Sequence, residues 1–250
     1  MNNQLEHPRR CNLLLHCGAE AVERFEIRNV PTPAVTDTWF PLAHQTVLEE
    51  VEKQFDHHRL RVVNEAHALT KDGARYFGLF QIATSNEEAA FVVGLRNSHD
   101  KSFPVGLVGG HQVFVCDNLA FGGEIRIARK HTKNLLTDFP LMAYEAVGRL
   151  AGEWADQVQR IGAYKGRIIS DEQAHDLVIR ALDAGVVCAK KVPSVLHEWR
   201  EPSHAEFLPR TVWSLHNAFT EVLKPRALES LADGTRKLTA LLDAEVRVAA

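Results

Sequence analysis

The chain predicts an α+β fold, an antiparallel β meander of about five to six strands with a long helix and further C-terminal helices packed on it. Three observations carry this expectation. Short runs rich in β-branched and aromatic residues fill the stretch from Arg59 to Arg129. One Asp-Gly pair, Asp72-Gly73, separates two of them in the manner of a hairpin turn. After Leu135 the apolar residues recur at helical spacing to the end.

Residues 1–35 read as an N-terminal arm, because Asn29-Val30-Pro31-Thr32-Pro33 favours extended backbone over helix. Residues 36–250 read as a single α+β domain, with a helix and the meander in 36–134 and a helical half in 135–250. From Ala43 to His57, Val47, Leu48, Val51 and Phe55 share one helical face, opposite Glu49, Glu50, Glu52 and Lys53. The runs RLRVVNEAHAL and ARYFGLFQIAT flank Thr70-Lys71-Asp72-Gly73 and form a hairpin. Further strands are expected at AAFVVGLRN, at SFPVGLV, at HQVFVCDN after a Gly109-Gly110 turn, and at EIRIAR after Gly122-Gly123, joined by connections short enough for antiparallel neighbours. Phe139 to Ile161 carries Leu141, Met142, Tyr144, Val147, Leu150, Trp154 and Val158 on a broad apolar stripe, a long core helix. Ser170-Asp171-Glu172-Gln173 fits a capping box that opens a helix running to about Ala184. Pro193 and Pro202 punctuate a loop, and two helices, Pro209 to Lys224 and Ala227 to Glu245, are split at Pro225.

The chain is 45% hydrophobic and 24% charged, enough apolar material for one large domain. Its formal net charge of -3 offers no global attraction to nucleic acid or to an anionic membrane, so any such binding rests on local patches. Cys11, Cys17, Cys116 and Cys188 form no paired framework and no basic-then-apolar leader opens the chain, which leads us to expect a reducing, cytoplasmic setting. No apolar run reaches the length of a membrane span. His7, Cys11, His16 and Cys17 match no structural zinc spacing, and no Gly-x-Ser-x-Gly, His-Glu-x-x-His or phosphate-cradling Gly-Lys-Ser/Thr sequence occurs; no metal or cofactor is expected.

Two polar segments follow apolar strands, Asn97-Ser98-His99-Asp100 and Asp117-Asn118-Leu119-Ala120-Phe121. In a meander their loops share one sheet edge, which makes His99, Asp100, Asp117 and Asn118 candidate neighbours for acid/base or metal-ligand chemistry. The competing reading is that these side chains cap turns. The densest basic stretch, Arg126 to Lys133, alternates Ile125 and Ile127 with Arg126 and Lys130 and gives a cationic stripe suited to phosphates, or a charged edge that resists aggregation. At about 3.3 Å per residue, His131 is expected roughly 20 Å from the edge that bears His99. In the helix from Pro209, Trp213, Asn217, Thr220 and Lys224 form a stripe apart from the core stripe of Val212, Leu215 and Phe219. It is either an indole and amide platform for a base or part of the packing against the sheet.

Four ordered motifs, GLRNSHDKS, VFVCDNLAF, ARKHT and RTVWSLHNAFTE, resemble the phage- and plasmid-associated family known as domain of unknown function 932, over about Pro41 to Lys224. That resemblance carries no reaction or catalytic set with it. It implies a setting in mobile elements, and with it DNA metabolism, defence or counter-defence. A meander followed by a long helix and a basic strand is also similar in outline to ring-forming single-strand annealing proteins, a fold-level analogy only.

The leading expectation is therefore a non-enzymatic, homo-oligomeric nucleic-acid-binding protein that contacts single strands through Arg126, Arg129, Lys130, His131, Lys133, Trp213 and Asn217. The alternatives are a metal-assisted hydrolase or nuclease using His99, Asp100 and Asp117, and a protein-interaction module presenting the Trp213 stripe.

Overall fold

Seven antiparallel strands among the described residues form the central sheet of an α+β fold, with helices on both of its faces. The computed structural model describes residues 13, 19–84, 89–113, 119–120, 127–224 and 228–248. Strands β1 (Glu20–Val22), β2 (Val62–Leu69), β3 (Arg75–Ile82), β4 (Ala89–Ser98) and β5 (Val105–Val113) lie side by side in chain order. Two short strands, β6 (Leu119–Ala120) and β7 (Ile127–Arg129), both pair with β5. The expected hairpin joins β2 to β3: Gly73 takes a φ of 69°, and Asp72 Oδ1 accepts from the Thr70 hydroxyl and the Ala74 N–H.

Before the sheet come α1 (Arg24–Asn29) and α2 (His44–His57); after it come α3 (Leu135–Gly166), α4 (Asp171–Asp183), α5 (Val192–Arg200), α6 (Val212–Leu223) and α7 (Leu228–Val248). Strand alternation sorts the core into two layers. Tyr76, Phe80, Phe91, Val93, Leu95, Val105 and Leu107 face α2 and the first half of α3, where Val47, Leu48, Val51, Phe55, Val147 and Leu150 meet them. Phe77, Leu79, Ala90, Val92 and Val108 pack on the other side with Tyr164 of α3, Leu177, Trp199, Leu215, Phe219 and Leu238. Each such large side chain, fully buried, contributes roughly 1.5–3 kcal/mol. The Ser170 capping box forms as expected, with Ser170 Oγ accepting from the Gln173 N–H and Gln173 Oε1 from the Ser170 N–H.

Several expectations are corrected. The segment read as an arm contributes an edge strand, pairing Ala21 with Ala68, and a helix that buries Ile27. Pro193 does not end helical structure: it sits in the first turn of α5, where the missing N–H has no intrahelical partner to lose. Gly109 and Gly110 make no turn but lie inside β5, opposite Val93 and Val92. The glycine is required there by helix packing, because a Cβ on Gly109 would stand 2.5 Å from Leu150 Cδ2 of α3.

That continuous strand removes one chain reversal and so inverts the direction of the chain beyond it. Arg129 pairs with Val105, and neighbouring Gly106 pairs with Arg96. The end of β7 therefore lies beside the end of β4, and the expected separation of His131 from His99 is overturned. At the opposite end, Leu119 and Ala120 pair with Gln112 and His111, and Gln112 pairs with Ala90. Asp117 and Asn118 lie outside the described residues; the described part of that motif, Leu119 and Ala120, is at the far end of the sheet from His99.

Candidate functional site

Two imidazoles, His99 and His131, meet the backbone of Leu42 in the segment leading into α2, and a third, His44, joins them through Asn97. The Leu42 carbonyl accepts from His99 Nε2 at 2.9 Å, just past the end of β4, and from Asn97 Nδ2 of β4 at 3.0 Å. The Leu42 N–H donates to His131 Nδ1 at 3.1 Å, and the neighbouring Phe40 N–H donates to the His131 carbonyl at 2.9 Å. Asn97 uses its second amide hydrogen on His44 Nδ1 at 2.9 Å, and His44 Nε2 in turn donates to the Gly73 carbonyl at 2.9 Å. The partners assign the tautomers: Nδ1 is an acceptor in His44 and His131, and Nε2 carries the proton in all three rings. His44 also stacks on His99, with ring centroids 3.8 Å apart.

Burial favours neutral rings here. His44 falls from its ordinary value to about 4, first because it is buried and then because His99 lies against it. His99 and His131 shift down for the same leading reason. Asn97 Oδ1, His99 Nδ1 and His131 Nε2 are buried with no hydrogen-bond partner among the described residues. Behind this group, Tyr76 pairs in register with Asn97 and reaches His67 Nδ1 through its hydroxyl at 2.9 Å. His67 Nε2 is 3.5 Å from Glu65, which with Glu52 holds Arg24. A polar line thus runs from the α1 surface to the end of the sheet.

Asp100 belongs to the turn. Its Oδ1 accepts from the Ser102 N–H and hydroxyl, and its Oδ2 accepts from Arg75 Nε at 2.6 Å. Partial burial works against its ionisation, yet the bonds from Ser102 and Arg75 hold it below the ordinary carboxylate range. His99 points inward to Leu42, so His99 and Asp100 form no acid/base pair. Among the described residues no group of three or more His, Cys, Asp or Glu is arranged to hold a metal. His7, Cys11, His16 and Cys17 lie outside the described residues.

The outer surface of this end is aromatic and cationic. Trp39 is partly exposed, Lys101 Nζ stands 5.0 Å over its ring, and the buried His131 ring backs it at 6.3 Å. Lys101 takes a φ of 65° in the β4–β5 turn. Arg129, Lys130 and Lys133 are exposed, with Asp138 3.7 Å from Arg129; Arg126 lies outside the described residues. His131, expected among the phosphate contacts, is 4% exposed and serves instead as the acceptor that ties Leu42 to this surface.

Trp213 and Asn217 require a second correction. Every residue from Val212 to Thr220 is buried, because α6 is covered on all sides and has no solvent stripe. Trp213 stacks on His216 at 5.2 Å, and Asn217 Nδ2 donates to the Trp213 carbonyl. Nearby, Arg160 donates to Gln157 Oε1 and to Asp243, which fixes the Gln157 amide so that its Nε2 faces His111 Nδ1 at 2.9 Å. Burial, with Arg160 adding to it, lowers His111 to about 4. This is a core network joining β5, α3, α6 and α7.

Sequence reasoning singled out His99 and His131 but missed His44, Leu42 and Trp39. The periodicity places His44 in the first turn of an amphipathic helix, and Trp39 falls between the N-terminal arm and that helix, where no periodic pattern marks it. Among the described residues no helix is long and apolar enough to cross a membrane. No family model, no curated protein and no solved structure matches this chain.

Proposed function

We propose that the chain is a non-enzymatic protein that binds single-stranded nucleic acid at the histidine end of its sheet. The observation that supports this best is the partly exposed Trp39 indole, topped by Lys101 and placed where the exposed Arg129, Lys130 and Lys133 leave the sheet. An indole platform takes any base by stacking, while flanking ammonium and guanidinium groups follow the backbone charge. The cations are local, which agrees with a net charge of -3. Trp39 takes the stacking role that the sequence alone suggested for Trp213. Against a hydrolase, the Asp100 oxygens are engaged by Arg75 and Ser102, and His99 is committed to Leu42. The resemblance to domain of unknown function 932 extends the proposal to the DNA metabolism or defence systems of mobile elements, and homo-oligomers would join modest patches into one track.

The test is fluorescence anisotropy of a labelled single-stranded oligonucleotide against salt. Binding weakens steeply as salt rises, and Lys101→Ala with Lys130→Ala makes the dependence shallower by about 0.7 in log–log slope for each phosphate that is no longer neutralised. No binding of DNA or RNA at low salt would sink the reading.

A further inference from the structure

We propose that the imidazoles around Leu42 form an acid-released clasp on residues 36–42, in which proton uptake at His131 frees the segment carrying Trp39 from the end of the sheet. The effect on nucleic acid rests on the reading above; the clasp itself does not. The geometry carries the inference. The Leu42 N–H points at His131 Nδ1, so that bond exists only while Nδ1 is unprotonated. A second proton on the ring sets two donors head to head, and Leu42 N–H then has no acceptor. His44 protonation has a different result: a half-turn of the Asn97 amide offers Oδ1 to the new Nδ1–H but withdraws a donor from the Leu42 carbonyl. His99 would gain a buried Nδ1–H with no acceptor among the described residues, under a parallel ring 3.8 Å away.

Among the described residues Asp100 is the carboxylate that favours a charged ring, and it acts on His99, where burial outweighs it, and not on His131. From α2 the clasp faces His44, from β3 the buried Tyr76, from β4 Asn97, and just past β4 His99. From the β4–β5 turn it faces Asp100, engaged by Arg75 and Ser102, and Lys101, which lies over Trp39. After β7 come His131 and the exposed Lys130, and the β2–β3 turn offers the Gly73 carbonyl, with Asp72 held by Thr70 and Ala74. On His131 itself, burial and the neighbouring His99 oppose a charge, and the Phe40 backbone only partly offsets them. If His131 regains its ordinary affinity once residues 36–42 are released, its proton favours release by at most ~30-fold at pH 5.

Hydrogen exchange of the full chain, read by mass spectrometry at pH 7.5 and pH 5.0 and corrected for intrinsic exchange rates, tests the clasp. Peptides covering 36–42 lose up to ~30-fold protection at pH 5.0, while α6, which opens with the whole fold, stays more protected than the segment at both values. His131→Asn supplies an amide oxygen to the Leu42 N–H without titrating, and keeps the segment protected at pH 5.0. His131→Phe, with no acceptor, leaves it open at both values. Independently of any variant, NMR titration of the wild-type imidazoles gives a His131 midpoint that coincides with that of segment exchange. The proposal is overturned by equal protection at both pH values, by release in His131→Asn as in wild type, by separate midpoints, or by α6 opening together with the segment. A parallel titration with a labelled oligothymidine separates the two readings: release without oligonucleotide binding at either pH leaves the clasp standing and removes the nucleic-acid function.

Discussion

His44 and His99 lie face to face with ring centroids 3.8 Å apart and planes 6° from parallel, and Asn97 next to them bonds both His44 and the Leu42 carbonyl that His99 also holds. A stack this close tolerates one charge poorly and two hardly at all, because the rings share a buried space with little solvent to screen them. The arrangement is built for neutral histidines.

Stability should therefore fall as the solution is acidified well before the carboxylates titrate. His44, His67, His99, His111, His131 and His216 all bind protons less readily folded than unfolded, chiefly through burial. For a group lowered on folding, the unfolded state takes up the proton first, so stability is full above 6.5 and is lost as pH falls toward the folded value. For His44 and His111, each lowered to about 4, the loss is roughly 3 kcal/mol apiece when complete. Urea midpoints measured from pH 7.5 to 4.5 should drop steadily below 6.5. A flat profile down to pH 5 would show that these rings are not buried as neutral groups.

Gly78 and Tyr76 should be coupled. A Cβ at Gly78 would lie 2.6 Å from the Tyr76 hydroxyl, which His67 Nδ1 meets at 2.9 Å. Gly78→Ala alone is expected to cost about 1–3 kcal/mol by overpacking. Tyr76→Phe removes the obstructing oxygen, so in the double variant the alanine should cost clearly less. A double-mutant cycle by urea denaturation reads the coupling, and strict additivity would argue against this contact.

The elements were largely legible in the sequence, and one strand that was misread decided the site. Apolar alternation, the Asp72-Gly73 turn and the Ser170 box each act locally, so their signals lie within a few neighbouring residues. Gly109-Gly110 carries the same local signal as a turn, but its cause is distant: Leu150, in a helix that begins well after β7, needs the space. With that pair placed inside β5, His131 moves from the far end of the sheet to the Leu42 peptide. Trp213 shows the same limit. Its helical stripe is real, but whether a stripe meets solvent depends on what covers α6, which periodicity does not report.

Gly109→Ala should test that relationship directly. With Leu150 Cδ2 2.5 Å from the added carbon, the buried Leu150 side chain, the strand or α3 must shift, at about 1–3 kcal/mol. Leu150→Ala opens the space and itself costs roughly 2–5 kcal/mol as a cavity, yet it should relieve most of the Gly109→Ala penalty when the two are combined. Thermal and urea denaturation of the four proteins in the cycle give the coupling. A Gly109→Ala variant as stable as the parent would contradict the close helix crossing.

Trp39 and Trp213 should separate binding from folding. Trp39 is partly exposed beside Lys101, and its removal leaves the cores intact; Trp213 is 6% exposed against His216 and His111. Trp39→Ala should weaken single-stranded DNA binding by about 1–3 kcal/mol, the usual worth of one stacked base, with little change in the urea midpoint. Trp213→Ala should do the reverse, costing roughly 3–5 kcal/mol of stability as a large core deletion. A further distinction lies in the salt dependence: Trp39→Ala should displace the log–log binding line without altering its slope, because stacking releases no counterions, whereas Lys130→Ala should flatten it. Loss of binding in Trp213→Ala at full stability, with Trp39→Ala unchanged, would move the platform back to α6 and away from the histidine end.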